Sequence, residues 1–218
     1  MAITDVARFG VEKTLQQSEL LVRHSRPGAV AIQLRDHSLP ARVRLEIGKD
    51  LRDLTRRYSA LFIVNDRLDL AALLAADGVH LGERSFTLDA ARALYSQSPS
   101  VSPASGLARG SCPFFTQAAH NVASLGPGPF AWLLSPVVEA RKGRSALGFA
   151  TLARAKKHLE GRCPDPRERP LVFALGGVRA GLAQACLHAG ADGVAVQGAA
   201  WDGGAEALLE ELAMGGRA

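Results

Sequence analysis

Short apolar segments and segments with helical periodicity alternate along all 218 residues of the chain. The apolar segments are continuous, and continuous apolar runs are typical of strands that are buried on both faces of a parallel sheet. Six of these segments are clear, and residues 2–4 and 106–111 are weaker candidates for two more strands. The clear ones cover residues 29–34, 61–64, 78–81, 130–138, 171–175 and 193–197.

Between these strand candidates, apolar residues recur at the three- and four-residue spacing of amphipathic helices. Ile47, Leu51 and Leu54 form such a stripe. Parallel strands need crossover connections of this kind, so the alternation predicts an α/β fold, a (β/α)8 TIM barrel formed by one domain over residues 1–218; an open doubly wound sheet is the alternative. The predicted helices cover residues 11–23, 67–75, 88–95, 116–124 and 149–159 and the segments around Ile47, Leu182 and Ala205.

The composition argues against several other classes of protein. No stretch approaches the roughly 20 uncharged apolar residues of a membrane-spanning helix, and residues 1–5 show no secretion signal. The three cysteines lie far apart, which argues against a disulfide framework or a zinc site and for a reducing compartment. We therefore expect a cytoplasmic protein without a membrane partner, and we leave open whether it forms a homo-oligomer.

The net charge of +5 results from 26 basic and 21 acidic residues. An Arg-rich surface explains this small excess, and so does a basic cleft that attracts phosphate-bearing molecules. The sequence contains no recognised nucleic-acid-binding motif. Small phosphorylated substrates, rather than nucleic acid, are therefore the expected partners.

Polar residues follow the second, third and fourth strand candidates, and active sites of TIM barrels lie at the carboxyl ends of strands. Arg35 could bind diphosphate in a bidentate manner, although a surface pair with Asp36 would explain the same residues. Asn65 and Asp66 suit a magnesium ion that also binds phosphate oxygens, although Asp66 could equally cap the following helix. Glu83 could add a second carboxylate.

Later strand candidates are followed by a cationic loop and by glycines. The loop that contains Lys142 could close over a phosphate, or it is simply a solvated charged loop. Gly176 and Gly177 follow the seventh strand, and Gly198 follows the eighth. Glycines let the backbone N–H groups approach an anion, and TIM barrels often bind phosphate at these two positions.

The remaining candidate side chains have simpler interpretations. We interpret His80, inside a strand, as a packed residue of the barrel. His120 and His188 fall in predicted helices, away from the strand ends, and are interpreted as structural or surface residues. Ser111 follows a weak strand candidate and has no base nearby in the sequence.

Six motifs are distributed over nearly the whole chain: Ile3-Thr4-Asp5, Gln33-Leu34-Arg35, Val64-Asn65-Asp66-Arg67, Ala76-Asp77-Gly78-Val79-His80-Leu81-Gly82, Leu175-Gly176-Gly177-Val178 and Gly190-Ala191-Asp192-Gly193. With these motifs the chain resembles the thiamine-phosphate synthase/TenI family, most closely over residues 62–82 and 171–200. The resemblance implies a (β/α)8 transferase of thiamine biosynthesis, which joins hydroxymethylpyrimidine diphosphate to thiazole phosphate and releases diphosphate with magnesium. The TenI branch implies instead a thiazole tautomerase that needs no metal.

The same resemblance implies roles for individual residues. Arg35 matches a diphosphate-binding arginine, Asp66 the first magnesium ligand, and Lys142 a loop lysine near the diphosphate. Ser111 is aligned with a serine of the fifth strand. The full set of predicted site residues is Arg35, His37, Ser111 and Lys142 for catalysis, Gln33, Arg35, Asn65, Gly176, Gly177, Gln197 and Gly198 for substrate binding, and Asp66 and Glu83 for magnesium.

Four positions depart from the family pattern. His37 stands where synthases have a lysine, Ser85 where a second magnesium-binding aspartate is expected, and Ala140 where the sixth-strand loop has a threonine. Pro113 occupies the place that this alignment gives to the tautomerase histidine. The departures leave a third hypothesis open: a catalytically degenerate barrel that binds thiamine-related phosphates. Glu83 could replace the missing aspartate, and an anion nearby would favour the cationic form of His37.

Overall fold

A computed structural model describes the backbone of residues 1–96 and 113–215 and the side chains of these ranges as far as residue 213. Eight parallel strands form one sheet in chain order, and α-helices lie between all successive strands except the fifth and the sixth. The strands are β1 (Ala2–Ile3), β2 (Ala31–Leu34), β3 (Leu61–Asn65), β4 (Gly78–Leu81), β5 (Phe114–Ala119), β6 (Ala131–Leu134), β7 (Leu171–Leu175) and β8 (Gly193–Ala195). The helices are α1 (Val6–Phe9), α2 (Val11–Arg23), α3 (Ala41–Arg57), α4 (Leu68–Leu73), α5 (Leu88–Ser96), α6 (Ala150–Arg162), α7 (Ala183–His188) and α8 (Ala205–Gly215).

The sheet closes between its first strand and the end of its last one. The Ile3 N–H donates to the Val196 carbonyl at 2.7 Å, and the Val196 N–H donates to the Met1 carbonyl at 3.0 Å. The predicted (β/α)8 TIM barrel is therefore confirmed, and the open sheet is wrong. No helix in the described part of the chain is long and apolar enough to cross a membrane.

The Asp-Gly pairs at residues 77–78 and 192–193 make the same kind of hydrogen bond at the amino ends of β4 and β8. The Asp77 carboxylate accepts a hydrogen bond from the Phe62 N–H at 2.9 Å, and the Asp192 carboxylate accepts one from the Val172 N–H at 2.8 Å. In each case the bond joins the strand to its neighbour. The buried Asp77 also pairs with Arg52 through two hydrogen bonds of 2.7 and 3.2 Å. These motifs thus hold the end of the barrel that is remote from the strand carboxyl ends.

The prediction of a helix over residues 116–124 is wrong. Phe114–Ala119 is a strand of buried and partly buried residues, and only a single 3₁₀ turn at Val122–Ser124 lies between it and β6. Aromatic and β-branched residues at its start suit a pleated, packed surface better than a helix. The strand predicted at residues 106–111 lies outside the described residues. This shift places His120 directly after a barrel strand.

Candidate active site

A cavity of about 540 Å³ opens at the carboxyl ends of the strands, and we call it the first cavity. It brings together residues from loops that are far apart in the sequence. The predicted site residues that line it are Gln33, Arg35, His37, Asn65, Asp66, Glu83, Lys142, Gly176 and Gln197.

A second cavity of about 540 Å³ lies beside the first and shares Arg141 and Gln197 with it. Gly177 and Gly198, the remaining residues predicted for substrate binding, line this cavity. Ser111 lies outside the described residues. Because β5 begins at Phe114, Ser111 precedes the fifth strand in the sequence, so its alignment with a serine of that strand is wrong.

A chain of hydrogen bonds joins β2 to β3 beneath the first cavity. The Gln33 amide donates to the Asn65 side-chain oxygen at 3.0 Å, and the Asn65 amide donates to the Asp66 carboxylate at 2.6 Å. Gln33 is fully buried. Its side-chain oxygen accepts no hydrogen bond from the described residues, and a buried acceptor in a cavity needs a donor from a ligand or from water.

The carboxylate of Asp66 is held in place by neighbours on the loop after β4. The Gly82 N–H donates to it at 3.2 Å, and the Ser85 hydroxyl donates to the same oxygen. Asp66 itself has a φ of 60°, a conformation that is uncommon for residues other than glycine. Asp66 thus faces the first cavity and does not act as the helix cap that was the alternative, because α4 begins at Leu68 and has no side-chain cap.

Arg35 enters the first cavity from the end of β2, and Asp36 points away from it. Asp36 is buried, and its carboxylate accepts a hydrogen bond from the Val6 N–H at 2.6 Å. The alternative of an exposed Arg35–Asp36 pair is therefore wrong.

A two-residue hairpin carries the cationic loop after β6. Arg141 and Arg144 exchange backbone hydrogen bonds of 2.9 and 3.0 Å. Lys142 and Gly143 between them have φ values of 50° and 75°, as a type I′ turn requires. The Arg144 guanidinium donates to the Glu83 carboxylate at 2.8 Å. The loop is thus an ordered hairpin, joined to the loop after β4, that places Lys142 at the first cavity.

Two histidines at the first cavity have lowered pKa values. Burial lowers the pKa of His80 to about 4, and its Nδ1 lies 2.9 Å from the Thr116 hydroxyl. Burial, followed by the charge of Arg35, lowers the pKa of His37, although the Asp66 carboxylate acts in the opposite direction. Without a ligand, His37 is therefore not favoured as a cation. His80 is packed inside the barrel, as expected.

His120 is a residue that the sequence analysis placed wrongly. It lines the first cavity, and its Nδ1 lies 2.7 Å from the Ser135 carbonyl oxygen. Because a carbonyl only accepts hydrogen bonds, Nδ1 carries the proton. Nε2 lies 3.6 Å from the Glu83 carboxylate. The aromatic and β-branched residues 114–116 were the signal that could have placed His120 at a strand end.

Gly176 and Gly177 allow the loops after β6 and β7 to pack closely. Both have positive φ values, 96° and 77°. A Cβ at Gly176 would lie 2.8 Å from the Pro136 Cα, and one at Gly177 would lie 2.9 Å from the Glu139 backbone nitrogen. Larger residues would therefore push these loops apart where the two cavities meet.

The donor set fits magnesium only in part. Among the described residues, no group of three or more His, Cys, Asp or Glu side chains could hold a metal ion. Asp66 offers one carboxylate at the first cavity, and magnesium accepts one or two carboxylates when phosphate oxygens complete its shell. Glu83 is occupied by Arg144. The site therefore fits a magnesium ion that arrives with a diphosphate.

Parallel strands in a closed barrel, with a cationic cavity and a glycine-lined cavity at their carboxyl ends, define a TIM barrel suited to phosphorylated ligands. The chain belongs to the thiamine monophosphate synthase family, whose model matches residues 1–200.

Individual relatives agree with this assignment. The chain is 33% identical to a thiamine-phosphate synthase of Thermus thermophilus over 219 residues, which cover 97% of this chain and 95% of that protein. It is 36% identical to one of Gloeobacter violaceus over 171 residues, or 78% of this chain, and spans 45% of that longer protein. The solved thiamine phosphate pyrophosphorylase from Pyrococcus furiosus superposes with a TM-score of 0.72 at 26% identity, covering 98% of this chain and 94% of that one.

Proposed function

We propose that the protein is a thiamine-phosphate synthase-like transferase, which joins hydroxymethylpyrimidine diphosphate to thiazole phosphate and releases diphosphate. Family membership supports the reaction class. The observation that carries the proposal is the chain of hydrogen bonds from Gln33 through Asn65 to Asp66 at the floor of the first cavity. The buried Gln33 side-chain oxygen is free to accept a hydrogen bond from a ring substituent of a substrate. The Asp66 carboxylate at the other end of the chain of hydrogen bonds is available to a metal.

Departure of diphosphate transfers an electron pair to its oxygen and leaves positive charge on the pyrimidine methylene carbon. Arg35 and Lys142 line the cavity where this negative charge would develop, and preorganised cations stabilise such a transition state. The buried Gln33 and Asn65 side chains would orient the pyrimidine, because their amides are fixed by each other. The methylene carbon then bonds to the thiazole.

We propose Asp66 as the first magnesium ligand and keep Glu83 as a predicted second one. Bound magnesium would neutralise charge on the diphosphate oxygens. Asp66 is held by Ser85 and Gly82, so its carboxylate needs little rearrangement. Glu83 would have to exchange Arg144 for the metal.

We place the protein in the cytoplasm, with small phosphorylated substrates as its partners. Cys163 and Cys186 are free and buried, which suits a reducing compartment. The absence of nucleic-acid binding remains a prediction, and the sequence left the oligomeric state open.

The direct test incubates the purified protein with both substrates and magnesium and quantifies thiamine phosphate. We expect the product to form with the wild type and to be lost with Arg35→Ala, since the leaving diphosphate would lose its bidentate partner. A wild type that gives no product and does not bind pyrophosphate would contradict the proposal.

One observation favours thiazole tautomerase as the second candidate. His120 directly follows the end of β5 and lies two residues after Ala118. It lines the first cavity, and its Nδ1 is bonded to a carbonyl, which leaves Nε2 for a ligand. A tautomerase would use a histidine near the end of this strand. Pro113, which counted against this activity, precedes β5 and is no longer the aligned position. A tautomerase would exchange a thiazole proton with solvent deuterium without magnesium, and His120→Asn would abolish the exchange. Ligand binding without either reaction would indicate the degenerate barrel.

A further inference from the structure

We infer that Arg8 is a specificity-determining residue, whose guanidinium binds the phosphate group of the thiazole substrate in the second cavity. The inference rests on the proposed function. Arg8, which would bind this phosphate, lies outside every motif that resembles the family.

Arg8 reaches the second cavity because the barrel closes. It lies on α1, which follows β1 directly, and the end of β1 is bonded to the end of β8. The Nη1 atom of Arg8 lies 3.7 Å from the point that a Cβ on Gly198 would occupy. The guanidinium carbon lies 4.7 Å from the centre of the Phe9 ring, a cation–π contact that supports the side chain from one side.

The charge of Arg8 is not cancelled by a neighbouring side chain. Among the described residues, no carboxylate lies within ion-pair distance of it. Arg179, another arginine of the second cavity, is 2.5 Å from the Glu139 carboxylate and is therefore compensated. Asp202 lines the cavity without an ion pair in the described chain, and Arg141 serves both cavities. Of the three arginines that line the second cavity in the described chain, Arg8 is the one that has no ion pair and lies outside the first cavity.

The backbone around the second cavity suits an anion but supplies no full charge. Within the described residues, the N–H groups of Gly177, Val178, Gly198 and Ala199 have no hydrogen-bond acceptor. Such unpaired N–H groups form anion-binding concavities. A phosphate monoester carries close to two negative charges, and an arginine fork matches its oxygens. Arg8 would provide the charge, and the N–H groups would provide the orientation.

The test compares Arg8→Gln with Lys13→Gln as a matched control. Lys13 lies 5.6 Å from the centre of the same Phe9 ring but does not line the second cavity. Both residues are exposed on helices, so neither change should prevent folding. Inorganic phosphate is titrated calorimetrically in the presence of saturating pyrophosphate, which occupies the first cavity. The KM values for the two substrates are then measured separately.

We expect Arg8→Gln to weaken phosphate binding about tenfold or more, as loss of a charge-assisted hydrogen bond does. The KM for thiazole phosphate should rise similarly, while the KM for the diphosphate substrate and both values of Lys13→Gln should stay unchanged. Arg8→Lys should restore part of the affinity. An Arg8→Gln protein that equals the wild type, or equal losses in Arg8→Gln and Lys13→Gln, would overturn the inference. The phosphate titration needs no turnover. A wild type without synthase activity would contradict the proposed function, whereas the comparison of phosphate affinities would still test the role of Arg8.

Discussion

The Thr4 hydroxyl donates a 2.5 Å hydrogen bond to the Asp36 carboxylate, inside the junction of β1 and β2. Thr4 is fully buried. The same hydroxyl accepts a hydrogen bond from the Arg35 N–H at 2.9 Å. The pair therefore fixes the stretch of backbone from which the Arg35 side chain enters the first cavity.

Thr4→Val should destabilise the protein and weaken its affinity for pyrophosphate. The substitution leaves the buried Asp36 carboxylate without one donor and the Arg35 N–H without its acceptor, which should cost about 1–3 kcal/mol of unfolding free energy. Urea unfolding measures the stability, and calorimetry measures pyrophosphate binding. Thr4→Ser keeps the hydroxyl and should retain the affinity.

The control for Thr4→Val is Asp192→Ala, at the opposite end of the barrel. The Asp192 carboxylate joins β8 to β7, so its loss should lower stability while pyrophosphate affinity stays at the wild-type value. If Thr4→Val bound pyrophosphate as tightly as the wild type, the pair would support the fold but would not position Arg35.

Asp66→Asn should remove the magnesium-dependent part of pyrophosphate affinity. The amide keeps the size of the side chain but loses the charge that magnesium requires. Titrations with magnesium and with EDTA separate the two parts of the affinity. Glu83→Gln should reduce the magnesium-dependent part less, because Arg144 already holds that carboxylate. Unchanged magnesium dependence in Asp66→Asn would show that the metal binds elsewhere.

His80 should make the ligand-free protein less stable as the pH falls. Its ordinary pKa is 6.5, and burial lowers it to about 4 in the folded protein. The unfolded chain then binds the proton more readily, so the stabilising contribution is complete above pH 6.5 and is lost as the pH falls toward 4. The full effect is about 3 kcal/mol.

Urea unfolding in EDTA, from about pH 7.5 to about pH 4.5, measures this dependence. His80→Gln should flatten the curve. The difference between the two proteins subtracts the contribution of the Met1 amino group, whose pKa burial lowers to about 5. Parallel curves for His80→Gln and the wild type would show that His80 does not carry the effect.

The sequence predicted the barrel well because the strands other than β5 are apolar runs with a helical segment after them. β4 and β7 have the predicted bounds. The fifth strand could not be placed in this way. Phe114–Ala119 mixes polar and apolar residues. It therefore lacks the continuous apolar run that indicated the other strands, and most of it was included in the helix predicted over residues 116–124.

The position of a residue at the first cavity was predictable where the residue follows its own strand, as Arg35 and Asp66 do. Thr4 and Arg8 could not be assigned from sequence, because the residues near them are remote along the chain. Asp36 follows the neighbouring strand β2, and Gly198 is reached only when the barrel closes. His120 was misplaced together with its strand. Such residues depend on neighbours that are remote along the chain, which periodicity and local motifs do not report.

Diffraction from crystals grown with pyrophosphate and magnesium tests the central claim most directly. The account predicts pyrophosphate density in the first cavity, in contact with the guanidinium of Arg35 and sharing a metal with the carboxylate of Asp66. Density for pyrophosphate anywhere else, with the first cavity free of it, would contradict the account.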